Sequence, residues 1–312
     1  MAADRFISID IGTNTIKYCI AERRHPDVLT IVEEGIENTR LGEGLQTYGI
    51  LNPDAIERSM IALDAMLDHR SLRDYAGIFV VGTMALRMAK NAPAFLKRVR
   101  KSVGIDIEVL SGEQEAEISF KAIQSGMQNT GSALLIFDVG GGSTEITYAK
   151  DNRVISAESL NTGAVQLTEQ FLISDPVLDT EYRHAVKSVS DTLGKVVFPY
   201  EIDTLIGIGG TVTTLAAMKM RLRAYNPHLI HGSTLSAPEL NRLIKMIRNK
   251  RIEERKKITG LQPQRADIIL AGALIVGEIL AKSGKADFLI SDHGLRHGIL
   301  LHRLPGVRLS PA

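Results

Sequence analysis

The sequence predicts an α/β protein built from two copies of one unit, and three observations carry that prediction. Residues 6–21 (FISIDIGTNTIKYCIA) and 134–149 (LLIFDVGGGSTEITYA) share an apolar run ending in Asp, a Gly-containing turn and a second strand-like run. Setting Asp10 on Asp138 gives an offset of 128 residues, and the same offset carries Gly82-Thr83 onto Gly210-Thr211, each behind a short apolar run. Between these landmarks strand and helix patterns alternate, which argues for α/β layers rather than a sandwich or a bundle.

The elements follow in order. Ile56, Met60, Leu63 and Leu67 set a helical spacing over 53–69, with Pro53 at its start. Ser111-Gly-Glu-Gln114 has the form of a capping box, so a helix runs from there to about 125 with Glu113 and Glu115 in its first turn. Helices are further predicted over 165–171, 179–197, 212–223, 238–257 and 266–282, and strands over 105–110 and 288–290. The Gln/Gly/Ser/Asn/Thr-rich stretch 125–131 marks a domain change. It divides the chain into a first domain, 1–125, and a second, 126–297, with the last helix, about 298–312, packing back on the first.

Composition narrows the function. The 312 residues hold one cysteine, Cys19, which excludes a disulfide scaffold and a Cys-rich zinc fold. Met1-Ala-Ala-Asp-Arg5 does not read as a secretory signal, and the apolar run 268–277 is far shorter than the ~20 residues a membrane span needs. The expectation is a cytoplasmic protein with no membrane partner. The net charge of +1 conceals an uneven distribution: 219–257 carries eleven Lys and Arg against three Asp and Glu, a local +8 that leaves −7 elsewhere. Such a stripe suits a polyanion. Specific nucleic-acid binding is disfavoured, because aromatics make up only 5% and Trp is absent.

The residues that carry chemistry cluster in the two repeats. Three glycines in Asp138-Val-Gly-Gly-Gly-Ser-Thr-Glu145 allow backbone N–H groups to approach an oxyanion, with Ser143 adding a hydroxyl. Asp138, at a strand end, offers an oxygen ligand suited to Mg²⁺. A tight hairpin would also explain the glycines. The matching turn Asp10-Ile-Gly-Thr-Asn-Thr15 weakens that explanation, since two such turns would make a phosphate clamp. Glu145 follows its turn directly, where negative charge is unwelcome unless it positions water or metal. Glu115 has an ordinary reason to exist, because a first-turn glutamate complements the helix dipole. Gly209-Gly-Thr211 and Gly82-Thr83 each precede a predicted helix, where anions are favoured. Arg87 and Arg265 are candidates for phosphate contacts. His231, His293 and His297 show no metal-ligand spacing and default to surface or packing roles.

These segments together, DIGTNT at 10–15, GTMALR at 82–87, SGEQEA at 111–116, FDVGGGSTE at 137–145, GIGGT at 207–211, HG at 231–232, PQRAD at 263–267 and GLRHG at 294–298, resemble the exopolyphosphatase / guanosine pentaphosphate phosphohydrolase family. That family lies within the actin-like ATPase superfamily, and the resemblance runs through nearly the whole chain. It implies two duplicated ribonuclease-H-like domains with an interdomain cleft, and hydrolysis of the terminal phosphoanhydride of inorganic polyphosphate. By the same resemblance Glu115 is the catalytic base and Glu145 orients the attacking water. Asp138 is the metal-site residue, with Asp10 a weaker candidate, for Mg²⁺ or Mn²⁺. Asn14, Arg87, Gly141, Gly142, Ser143, Gly210, Thr211 and Arg265 fall on its phosphate contacts. The chain resembles a short form without the family's C-terminal helical domain, and a homodimer is expected. His297 departs from the pattern, standing where the family commonly has an acidic residue. Guanosine pentaphosphate is the alternative substrate; an ATP-dependent kinase or ATPase of the superfamily, and a polyphosphate-binding module without activity, are the other classes.

Overall fold

The computed structural model describes residues 4–68, 74–127 and 130–310. In chain order the first elements are β1 (Asp4–Ile11), β2 (Ile16–His25), β3 (Val28–Glu37), α1 (Leu45–Tyr48), α2 (Pro53–Asp68), β4 (Gly77–Gly82), α3 (Met84–Met88), α4 (Ala92–Val103), β5 (Glu108–Val109) and α5 (Gly112–Gly126). There follow β6 (Ala133–Val139), β7 (Thr144–Lys150), β8 (Arg153–Leu160), α6 (Ala164–Phe171), α7 (Asp179–Leu193), β9 (Thr204–Ile208) and α8 (Gly209–Met220). The remainder is α9 (Pro227–Ile230), β10 (Thr234–Ser236), α10 (Ala237–Arg248), α11 (Ile252–Arg255), a 3₁₀ turn at Pro263–Arg265, α12 (Ile269–Ser283), β11 (Asp287–Ile290), α13 (Leu295–Arg303) and β12 (Arg308–Ser310).

The chain forms two compact units, Met1–Gly126 with His293–Ala312, and Met127–Asp292. The return to the first unit thus begins at His293, ahead of the expected 298. Residues 69, 128, 129, 311 and 312, on which predicted boundaries fall, lie outside the described residues.

Each unit holds one six-stranded mixed sheet, ordered β12-β3-β2-β1-β4-β5 in the first and β10-β11-β9-β6-β7-β8 in the second. Without the added edge strands β12 and β10, the two sheets have the same order and the same connectivity. The duplication predicted by the repeat is therefore present, including the antiparallel third strands β3 and β8, which the sequence reading did not identify. One detail differs. In parallel register Asp10 stands beside Val81 and Asp138 beside Ile208, so the residue matching Gly82 is Gly209 rather than Gly210. The repeat slips by one residue between the hairpin and the next strand.

Alternation explains the layering of the first sheet. Ile7, Ile9 and Ile11 of β1 are all fully buried and join Leu63 and Phe95 in one core cluster. Phe6, on the opposite face, packs with Cys19, Leu29 and Leu300. In the second unit Phe137 meets Phe288 edge to face with ring centroids 5.2 Å apart.

Several helices differ from their predicted spans. The capping box at 111–114 forms as predicted, with Ser111 N–H donating to Gln114 Oε1 (2.8 Å) and Gln114 N–H to Ser111 Oγ (3.2 Å). The helix predicted over 238–257 is two helices, α10 and α11. Glu254 Oε2 accepts from Arg251 N–H (2.8 Å) and Asp175 Oδ1 from Ile252 N–H (2.9 Å), so a new helix start is capped where the periodicity ran on. The strand predicted over 105–110 shrinks to two residues of pairing with β4.

The returning helix α13 packs on α5. A Cβ at Gly298 would lie 2.0 Å from Ile118 O, so the helices approach at backbone distance. The preceding residue, His297, is fully buried, and its Nε2 lies 2.7 Å from Glu34 Oε1 on β3. Arg296 Nε lies 2.8 Å from the same oxygen. Gly294 N–H donates to His297 Nδ1 (3.3 Å), which leaves the ring proton on the nitrogen facing Glu34. The buried histidine of α13 is therefore matched by a carboxylate from strand β3.

Burial alone would raise the Glu34 pKa, but the His297 contact and the Arg296 charge outweigh it and hold the carboxyl at about 2, against 4.5 for the free group. A depressed carboxyl pKa stabilises the fold above pH 4.5 and ceases to do so as pH falls toward 2. The shift corresponds to about 3 kcal/mol at most. Denaturant unfolding of the native chain is expected to lose that stability between pH 5 and pH 2, and Glu34→Gln to show a flatter acid limb. Parallel curves for the two proteins would refute the assignment.

Candidate functional site

In the second unit the hairpin β6–β7 turns through Gly140–Ser143 and pairs Asp138 directly with Glu145. Opposed residues of an antiparallel pair project on one face, so two carboxylates stand side by side, which strand pairing itself disfavours. The first unit places Asp10 opposite Lys17 at the same positions, with Lys17 Nζ 4.0 Å from Asp10 Oδ2. Both hairpins are closed alike, by Gly12 N–H to Thr15 O (3.0 Å) and Gly140 N–H to Ser143 O (2.9 Å). The two copies share a shape and differ in charge.

The glycine loop is fixed through its carbonyls. Gly140 O accepts from Ala164 N–H (2.9 Å), and Gly141 O from Val165 N–H (2.8 Å) and Gln166 N–H (3.2 Å) at the start of α6. A Cβ at Gly163 would lie 2.5 Å from the Gly141 carbonyl, so only glycine lets the chain pass under the loop. Among the described residues no acceptor takes the N–H of Gly141, Gly142 or Ser143. A pinned loop with open donors is what an oxyanion requires.

The start of α8 completes this arrangement. Gly209 has φ +85°, and a Cβ there would fall 2.1 Å from Asp138 Oδ1. A Cβ at Gly210 would fall 2.2 Å from Arg265 Nη2. The absence of two side chains therefore lets a carboxylate and a guanidinium lie against the N-terminus of one helix, whose first residues have no side-chain cap. Burial pushes the Arg265 pKa down, while Tyr225, Asp138 and Asp267 pull it up. Its Nε donates to Gln262 Oε1 at 3.2 Å. Thr211 is buried, and its hydroxyl donates to Val139 O (3.0 Å), so its N–H is what it offers a ligand.

Glu145 is only 6% exposed and accepts from Ser159 Oγ (2.9 Å) on β8. Ser159 pairs with it in strand register. Sequence reasoning missed Ser159, because the third strand that carries it shows no strong alternation.

In the first unit the candidates gather at the carboxyl ends of β1, β4 and β5. Arg87 Nη1 donates to Leu110 O (2.7 Å) and lies 3.4 Å from Glu115 Oε2, so it fixes the glutamate at the start of α5. The helix after Gly82-Thr83 is only five residues long and does not supply the predicted anion site. Thr83 N–H instead donates to Ile11 O (3.2 Å), fastening that loop to the hairpin. Asn14 is 6% exposed, and neither of its amide atoms has a hydrogen-bond partner among the described residues. A buried amide left unsatisfied costs about 1–3 kcal/mol, which a ligand supplying donor and acceptor would recover.

Cys19, Glu34 and His297 bring three possible metal-ligating atoms within 4.8 Å of one another. Arg296 and the His297 ring proton already meet the Glu34 oxygen, so this cluster is read as an ion-pair network. The basic stretch 219–257 is not a uniform stripe. Arg255 is buried and donates to Ile247 O (2.9 Å), Lys219 pairs with Glu239 and Lys256 with Glu253, and Arg248 pairs with Asp179 over the Tyr182 ring.

A family model described as the Ppx/GppA phosphatase family matches residues 19–306. The chain is 31% identical over 320 residues to Exopolyphosphatase 2 of Mycobacterium tuberculosis, covering 96% of this chain and 99% of that protein. It is 32% identical over 307 residues to the bifunctional 3-dehydroquinate synthase/phosphatase of Fusobacterium nucleatum, matching 94% of this chain but spanning only 46% of that relative. Among solved structures, the Ppx/GppA family member of Aquifex aeolicus superposes with a TM-score of 0.81 at 33% identity, covering 96% of this chain and 97% of that one. An exopolyphosphatase from Cytophaga hutchinsonii gives 0.87 at 27% identity, covering 98% and 99%.

Gly163→Ala tests the loop. The added Cβ must displace the Gly141 backbone, at about 1–3 kcal/mol for an overpacked site. A lower melting temperature is expected, together with loss of any stabilisation by inorganic phosphate in a thermal-shift series. An unchanged phosphate effect would show that anion binding does not depend on the loop.

Proposed function

We propose, because this chain belongs to the Ppx/GppA phosphatase family, that it hydrolyses the terminal phosphoanhydride bond of inorganic polyphosphate and releases orthophosphate. The observation that carries this reading is the Asp138–Glu145 pair beside a glycine loop with open N–H groups and the Arg265 guanidinium. Phosphoryl transfer asks little covalent chemistry of a protein; it needs position, charge neutralisation and an activated water.

In this proposal the N–H groups of Gly141, Gly142 and Ser143, those of Gly210 and Thr211, and Arg265 hold the terminal phosphate. Asn14 and Arg87 are the first unit's phosphate contacts. Glu145, held by Ser159, orients a water. By the family resemblance Glu115, held by Arg87 in the first unit, is the base that takes a proton from the attacking water as the oxygen–phosphorus bond forms and the bridging bond breaks. An all-oxygen donor set at Asp138 fits Mg²⁺ or Mn²⁺, hard cations that bind one or two carboxylates plus phosphate oxygens. Asp10 fits less well, because Lys17 already neutralises it. The metal would supply charge stabilisation for the departing phosphate oxygen.

Glu115→Gln and Glu145→Gln are each expected to lower phosphate release by about 10²–10⁴-fold while polymer binding persists. Retained turnover in both variants would sink the proposal. Running the assay in parallel on guanosine pentaphosphate separates the two substrates, and chelation of divalent metal is expected to stop release from either.

A further inference from the structure

A pocket of about 400 Å³ lies in the second unit at the opposite end of α8 from Gly210. It is lined by Met218, Met246, Ile258 and Thr259 together with Arg221, Lys250, Lys257 and Glu254. Its volume falls in the range of small-ligand sites. Its walls are fixed by packing: Gly260 has φ +91°, and a Cβ there would lie 2.3 Å from Ala217 O, so the turn that carries Ile258 and Thr259 is pressed onto the last turn of α8.

The charges suggest a ligand rather than a simple surface dent. Lys219, Arg248 and Lys256, all in the same basic stretch, pair with carboxylates, whereas among the described residues none lies within salt-bridge distance of Arg221, Lys250 or Lys257. The Glu254 carboxylate is engaged by the Arg251 N–H at the cap of α11.

The floor decides the ligand class. An inorganic phosphate chain would gain nothing from two methionines and an isoleucine, and an apolar molecule would leave three cations desolvated. We propose that this pocket binds a small organic phosphate, an aromatic or apolar body carrying at least two phosphate charges, with the body over Met218 and Met246 and the phosphates between Arg221, Lys250 and Lys257. This inference is independent of the proposed hydrolysis, because the methyls of Met218 and Met246 report this pocket and not the glycine loop.

The test titrates the full chain with ATP, adenosine and tripolyphosphate, following affinity by calorimetry and the ¹³C-methyl resonances of Met218 and Met246, assigned through Met218→Leu and Met246→Leu. ATP is expected to shift both methyls, and to do so at a concentration at least about tenfold lower than adenosine or tripolyphosphate. Lys250→Ala/Lys257→Ala should weaken ATP about tenfold or more, and Arg265→Ala should not. Circular dichroism confirms that the surface variant is folded, and Lys250→Glu provides a second variant with the same expected loss. No shift of either methyl with ATP, loss of binding in Arg265→Ala with both methyls unmoved, or tripolyphosphate shifting both methyls at as low a concentration as ATP would each overturn the proposal.

Discussion

Two carboxylates held on one face of a hairpin, Asp138 and Glu145, impose the constraint around which the second unit is arranged. Like charges directly opposite across two strands are destabilising, and a fold offsets them with compensation nearby. The surroundings provide it. Gly209 and Gly210 admit the Asp138 carboxylate and the Arg265 guanidinium to the positive end of α8, and Ser159 donates to Glu145. The glycine loop adds open N–H groups, and the α6 start holds its carbonyls in place.

Comparison of the two copies shows which features belong to the fold and which to chemistry. Strand order, hairpin length and the closing Gly-to-Thr or Gly-to-Ser bond are common to both. The residue across the hairpin from the aspartate is Lys17 in one and Glu145 in the other, and the following helix has five residues in one and twelve in the other. An attractive pair stands near a short helix, and a repulsive pair near a long helix whose N-terminus has no side-chain cap.

Much of this was legible in the chain. Local patterns announced the repeat, the capping box at Ser111 and the glycine turn, because each records hydrogen bonding or sterics within a few residues. The continuous helix predicted over 238–257 failed for a related reason: the caps that divide it come from Glu254 and from Asp175, and the second is remote in sequence. Thr211 illustrates a subtler gap. Its position was identified, but its hydroxyl is committed to Val139 O, a partner that no motif specifies.

By itself the sequence determined the duplicated α/β architecture, the location of the phosphate-type turns and the family resemblance, all of which rest on residue spacing along short segments. Tertiary structure alone decided that Arg265 lies on Gly210, that Ser159 holds Glu145, that His297 meets Glu34, and that the repeat slips by one residue at Gly209. These contacts depend on strand order, register and close backbone approach, which set distances between residues far apart in the chain.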